Sequence, residues 1–271
     1  ELDSVQAESK QDRSGSALDR IRSRGVIRVG YRDQRLPFSF RNTSGQLVGY
    51  DIDLAHLLAN DLGVKLELVS IEASQGAGLL STGAIDSVMS GAVVTPERAL
   101  EVEFTKPYLE ETVAFVVRDH RRNDFMTGES IQKLNGIRLA VPSNLPQFRE
   151  SVQPFLTDPQ IELVDSPEEF VAGEGDSYDA LLFSAEAGSA WTLVHPEFAV
   201  VVPQPTIHRV PVAFPVAPGD DRMRTFLNTR IDLKRPDNTL AELSDYWILG
   251  KSNQPKMPRW CLIRDVLHWV D

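Results

Sequence analysis

Apolar residues recur along this chain in two alternating periods. Asp51 to Leu62 carries Ile52, Ala55, Leu58, Ala59 and Leu62 at helical spacing, and Gly63 sits where a helix C-cap belongs. Val64, Leu66 and Leu68 then alternate with Lys65 and Glu67, which predicts a half-buried strand. Before them, Leu18 to Ile21 predicts a short helix stopped at Gly25, and Val26 to Gly30 a strand. After them come a short glycine-rich helix from Gly76 to Thr82, a strand from Ser87, and a long β-rich run from Glu111 to Arg118.

Beyond the polar stretch Asp119 to Glu129 the alternation resumes. It predicts helices over Ile131–Leu134, Gln147–Phe155, Pro167–Val171 and Ala185–Val194. Between them lie strands over Ile137–Val141, Ile161–Val164, Tyr178–Phe183 and Ala199–Val202. Pro203 to Pro211 punctuates the chain, followed by a strand over Val212–Val216, a helix from Asp221 and another near Leu240–Trp247. This βαβ rhythm predicts an α/β protein with mostly parallel sheet, and its two blocks predict two domains.

Composition narrows the class. The 271 residues are 42% hydrophobic, enough for a sizeable core. No run approaches the roughly 20 apolar residues of a membrane span. A formal charge of −11, from 28 basic and 39 acidic residues, argues against nucleic-acid binding. In such a negative field an anionic ligand needs a local cluster of arginines. Five histidines and the single Cys261 leave little for metal or thiol chemistry, and no cofactor is expected. The opening ELDSVQAESKQDRSGSA, residues 1–16 above all, reads as a flexible linker of a mature or excised segment. In the tail, Leu262, Val266 and Trp269 share a helical face suited to packing or to a partner.

The most informative segment is SVMSGAVVTPERALEVEFTKPY, residues 87 to 108, in which an apolar run ends at Thr95-Pro96-Glu97-Arg98. Its companions are Ile27 to Tyr31, Pro37-Phe38-Ser39-Phe40, Gly49 to Leu54, Gly83 to Asp86, Asp179 to Leu182 and Tyr246-Trp247. In this order they resemble the landmarks of the extracellular solute-binding proteins of family 3, over roughly Ala17 to Leu249. The resemblance implies a two-lobed periplasmic-binding-protein fold (type II, Venus-flytrap) with a mixed sheet in each lobe. Lobe 1 would hold 17–117 and 209–271 and lobe 2 118–208, with crossovers at Val117–His120 and Gln204–Arg209.

By that resemblance Arg98 holds a ligand carboxylate, for which guanidinium offers a planar fork of donors and a permanent charge. Tyr50 would form an aromatic wall, Phe38 belong to a ligand-facing loop, and Ser90 and Gly91 donate hydroxyl and backbone N–H. Arg32 stands where the glutamate/aspartate-binding branch places an arginine for a side-chain carboxylate. Arg35 follows three residues later, either in the same cleft or toward solvent. Three arginines together call for an anionic ligand.

The second lobe departs from the amino-acid pattern. Ser184 occupies the position at which an aspartate usually meets the ammonium. Glu186 either reaches the ammonium instead or only favours its helix dipole. The anion loop reads Asn144-Leu145-Pro146, and Val93 replaces a hydroxyl donor. A dicarboxylate lacking an ammonium explains Arg32 and Ser184 together. No HExxH, GxSxG, P-loop or zinc spacing occurs, so an enzyme is not expected. The cyclohexadienyl dehydratases share the fold, and Glu186 or Glu97 would be the acid in that case. The expectation is a monomeric extracytoplasmic receptor that closes on a small anion and serves a membrane transporter. A sensor or regulatory domain of a larger membrane protein is the alternative.

Overall fold

A computed structural model describes residues 15–250, except 144, 146–147, 153–155, 157, 173–176, 193–194 and 206. Ser16 caps the first helix, α1 (Ala17–Arg24), by accepting from Asp19 N–H, and Gly25 ends it in the left-handed conformation at φ 69°. Strand β1 (Val26–Tyr31) follows, then the small pair β2 (Phe40–Arg41) and β3 (Leu47–Val48), then α2 (Tyr50–Leu62) and β4 (Lys65–Ser70). Gly63 closes α2 at φ 66°, at the cap position that the apolar spacing marks. Next come α3 (Gly76–Ser81), β5 (Ser87–Val88), α4 (Pro96–Ala99) and β6 (Glu103–Phe104). In the first unit β1 lies between β4 and β5, both parallel to it, with Val26 opposite Lys65 and Gly30 opposite Val88. Val69 of β4 and Val88 of β5 join Ile71, Leu80, Ile85 and Val102 in a buried core cluster.

The long strand β7 (Leu109–Arg118) opens the second unit, followed by a 3-10 turn (Asp119–Phe125), α5 (Gly128–Gln132) and β8 (Arg138–Pro142). Then come α6 (Phe148–Val152), β9 (Gln160–Val164), α7 (Pro167–Ala172), β10 (Ala180–Ser184), α8 (Ala185–Thr192) and β11 (Phe198–Val201). The strand order is β11-β7-β10-β8-β9. Strands β8, β9 and β10 run parallel, whereas β7 is antiparallel to β10 and β11, which makes this sheet mixed.

The chain returns through β12 (Arg209–Val212), which pairs with β7, to β13 (Pro215–Val216), which pairs with β6. The helices α9 (Asp221–Lys234) and α10 (Thr239–Trp247) finish the first unit. Contacts divide the chain after Leu109 and after Val210. The first division precedes the expected crossover because all but the first residue of β7 belongs with the strands of the second unit. Val212–Val216 is not one strand: it changes partner, with Val212 bridging Val93 and Pro215 opposite Phe104. Helix α5 starts earlier than its apolar spacing suggests, because Thr127 and Ser130 form a reciprocal capping box. No helix among the described residues is long and apolar enough to cross a membrane.

Candidate functional site

The Thr-Pro-Glu-Arg tetrapeptide is a capped single helical turn. The Thr95 hydroxyl accepts from Arg98 N–H at 3.3 Å, and Pro96 occupies a first-turn position where its missing N–H costs nothing. The turn thereby fixes the start of the Arg98 side chain. Its Nη1 donates to the Val93 carbonyl at 3.0 Å, which holds the guanidinium along the segment that follows β5. Burial first, and then the Arg35 guanidinium nearby, pull the Arg98 pKa below the ordinary arginine value, while Glu97 opposes them. Desolvation and a like charge both disfavour the charged form of this group.

Arg98, Arg32 and Ser90 meet at one hollow of ≈90 Å³ in the first unit. The hollow is also lined by Ile71, Ala73, Gly76, Ala77, Leu80, Val88, Ala92, Val102, Phe104 and Pro215. Among the described residues that line it, Glu101 is the one carboxylate. Arg32 is set by its own backbone: its N–H donates to Ser90 Oγ at 3.1 Å, and its carbonyl accepts from Ser39 Oγ at 2.7 Å. The Ser39 and Ser90 hydroxyls are 2.6 Å apart, so the pair locks the end of β1 to the end of β5.

Beside Ser90 lies an anchor that sequence reasoning missed. The fully buried Asp51 carboxylate accepts from Gly91 N–H at 2.6 Å and from the Tyr108 hydroxyl at 2.7 Å. Gly91 has φ +62°, and a Cβ there would stand 2.4 Å from the Phe38 ring. Its carbonyl accepts from Arg35 Nη2 at 3.4 Å, and the Arg35 guanidinium lies 5.1 Å from the Phe38 ring centre.

Arg35 is therefore neither solvent-facing nor among the hollow's lining residues; it is buried at 4% exposure over Phe38 and Gly91. Phe38 and Tyr50 have no exposed surface and do not line the hollow either. Tyr50 stacks on Tyr108 at 5.9 Å and donates its hydroxyl to the Leu240 carbonyl at 3.3 Å. Burial, and after it Asp51, hold its phenol above the ordinary value, so it stays protonated at any working pH. These aromatic rings support the Ser90–Gly91 corner from below.

In the second unit Ser184 is fully buried, and its hydroxyl accepts from Ala187 N–H at 3.1 Å, capping α8. Both Glu186 carboxylate oxygens accept from Thr112 N–H, at 3.2 and 3.0 Å. Burial raises the Glu186 pKa most, and buried Glu111 adds to it, while hydrogen bonds from backbone N–H groups oppose. Asn144 lies outside the described residues, as do the 1–14 opening and the 251–271 tail. Among the described residues no group of three His, Cys, Asp or Glu gathers to hold a metal.

A larger hollow of ≈320 Å³ lies at the starts of α1 and α9. There Asp220 accepts from Met223 N–H at 3.0 Å and Arg222 pairs with Asp19. Local partners thus meet these charges.

The chain is similar to proteins that pair this fold with small-molecule chemistry. It is 25% identical over 242 residues to a cyclohexadienyl dehydratase of Pseudomonas aeruginosa, covering 86% of each chain. It is 28% identical over 233 residues to a probable amino-acid-binding protein of Bacillus subtilis, covering 81% of this chain and 83% of that one. The crystal structure of an ancestral amino-acid-binding protein, described as a precursor of cyclohexadienyl dehydratase, matches with a TM-score of 0.73 at 28% identity. That match covers 86% of this chain and 100% of the ancestral one. The family model for bacterial extracellular solute-binding proteins, family 3, matches residues 27–250, and the chain belongs to that family.

Proposed function

We propose that this chain is an extracytoplasmic receptor that captures a small carboxylate, an acidic amino acid or a dicarboxylate, and serves a membrane transporter. One observation carries the reading: Arg98, Arg32 and Ser90 line the same hollow. Guanidinium groups there offer bidentate, permanently charged donors to carboxylate oxygens. Two of them favour a dianion over a zwitterion of the neutral amino-acid type. The fold neighbours support the receptor role, and amino-acid-binding proteins are among the chains it is similar to. A sensing domain of a larger membrane protein would use the same capture step.

A second reading, elimination from a bound cyclohexadienyl acid, has one observation in its favour. Glu186 is a carboxyl that burial holds toward its protonated form. Its two oxygens already accept from Thr112 N–H, so the receptor reading stands ahead.

The test is a thermal-shift screen of aspartate, glutamate, succinate, malate, fumarate and neutral amino acids. A ligand at about 100 times its Kd adds roughly 2.7 kcal/mol to stability. The acidic compounds are expected to raise the Tm, and Arg98→Ala and Arg32→Ala to abolish the rise. A shift that survives Arg98→Ala removes Arg98 from the carboxylate role. Turnover of a cyclohexadienyl acid by the same sample would establish the enzyme reading instead.

A further inference from the structure

We infer that the ligand is an alkyl-substituted dicarboxylate, and that the hollow behind Arg98 is the socket for its short branched aliphatic group. The inference rests on the reading that Arg98 holds a carboxylate. Polar groups account for only one side of this hollow. Besides Arg32, Ser90 and Arg98 its lining includes the small residues Ala73, Gly76 and Ala77 and the core residues Leu80, Val88 and Val102.

Protein interiors are close-packed, and space left among core side chains costs stability. Here the small residues leave that space although the fold has room for larger ones. A Cβ added to Gly76 would meet Val88 at 3.6 Å and Ile71 at 3.7 Å, ordinary van der Waals contact. The hollow therefore persists through residue choice and not because the backbone forbids filling it.

Its volume sets the size of the guest. An apolar cavity of about 150 Å³ admits benzene. A hollow of ≈90 Å³, shared with the arginine-lined side, then suits at most about three carbon atoms, an isopropyl group. An unbranched succinate or aspartate would satisfy the arginines and leave this space unfilled. A dicarboxylate with an aliphatic branch satisfies both sides with one molecule. Glu101, exposed on the hollow's lining, disfavours a third carboxylate there and leaves the branch apolar.

The experiment is calorimetric titration of the whole chain with succinate, malate, 2-isopropylsuccinate and 2-isopropylmalate. Each buried methylene is worth about fourfold in affinity. The isopropyl compounds are therefore expected to bind about tenfold to fiftyfold more tightly than their parents. Ala77→Leu, which fills the socket, should bring that ratio toward one. The ratio is the readout, not either affinity. Gly76→Ala, whose added carbon has room, should lower it by a smaller step and guards against misfolding of the bulkier variant.

If the isopropyl compounds bind no better than their parents, or if Ala77→Leu leaves the ratio intact, the socket is overturned. The carboxylate reading then survives if succinate or aspartate binds and Arg98→Ala abolishes it. If none of these acids binds, the carboxylate reading itself falls, and the socket with it.

Discussion

Each unit has a corner where a sheet strand ends in a serine or just before one, and the two corners use their hydrogen bonds differently. After β5, Ser90 bonds to Ser39 and to Arg32 N–H, and Gly91 N–H is taken by Asp51 from α2. These partners come from other elements and leave two arginines on one hollow. After β10, Ser184 caps its own helix and Glu186 accepts from Thr112 on the neighbouring strand. The polar capacity of that corner goes into backbone N–H groups, one of its own helix and one of β7. The first corner thus presents charge, whereas the second terminates a strand and starts a helix. A serine after a strand does not by itself make a binding group; what decides is whether the fold leaves its neighbours facing open space.

The sharpest way to break this contrast is at Gly91. Its φ of +62° disfavours any side chain, and a Cβ would press into the Phe38 ring at 2.4 Å. Left-handed backbone costs roughly 1–2 kcal/mol for a residue with a Cβ. Overpacking adds about 1–3 kcal/mol. Gly91→Ala is expected to lower unfolding stability by roughly 2–5 kcal/mol in urea denaturation. Carboxylate affinity should fall as well, because Asp51 and Arg35 grip the backbone that carries Ser90. A variant with unaltered stability would mean that the corner is slack and that its network does not position the arginines.

A smaller effect is expected in the other unit. Ser184→Ala removes the α8 cap, a loss of about 1 kcal/mol by the usual worth of a serine N-cap. Chemical denaturation would measure it. Carboxylate titration of the same variant separates the two roles. A large loss of affinity with little loss of stability would return Ser184 to the ligand and erase the difference between the corners.

Much of this architecture is legible in the chain, and the exceptions share a cause. The α2 boundary is local, written in apolar spacing and Gly63, and the helical turn that presents Arg98 is written in Thr95 and Pro96. Asp51 is a different case. At the first turn of a helix it reads as an acid favouring the helix dipole, yet its partners lie 40 and 57 residues away. Only the tertiary fold reveals it as a buried anchor. Tyr50, Phe38 and Arg35 are similar: the resemblance gives Tyr50 an aromatic wall, Phe38 a ligand-facing loop and Arg35 the cleft or solvent, and only the fold shows them buried and off the hollow's lining. The hollow had a faint signal in the run of small residues Ala73, Gly76, Ala77 and Gly78. Which of them would face Arg98 depends on how α3 packs against β1 and β5.

The last expectation concerns pH and sharpens the account of Glu186. Burial and neighbouring Glu111 raise its pKa in the folded state above the ordinary carboxylate value. The folded protein then binds more protons than the unfolded chain between the two pKa values. Stability from this group therefore falls as pH rises through that window, and the full cost of the buried charge is present above the folded pKa. Glu186→Gln removes the charge while its amide oxygen can still accept from Thr112 N–H. The variant should be more stable than the parent at neutral pH, and the advantage should vanish below the ordinary carboxylate range, where both side chains are neutral. Thermal unfolding across that range measures it. If the parent is the more stable at neutral pH, the hydrogen bonds to the Glu186 carboxylate from its own backbone and from Thr112 outweigh its burial and the repulsion of Glu111. Glu186 would then be an ionised structural group of the second corner, and the acid role of the second reading would fall.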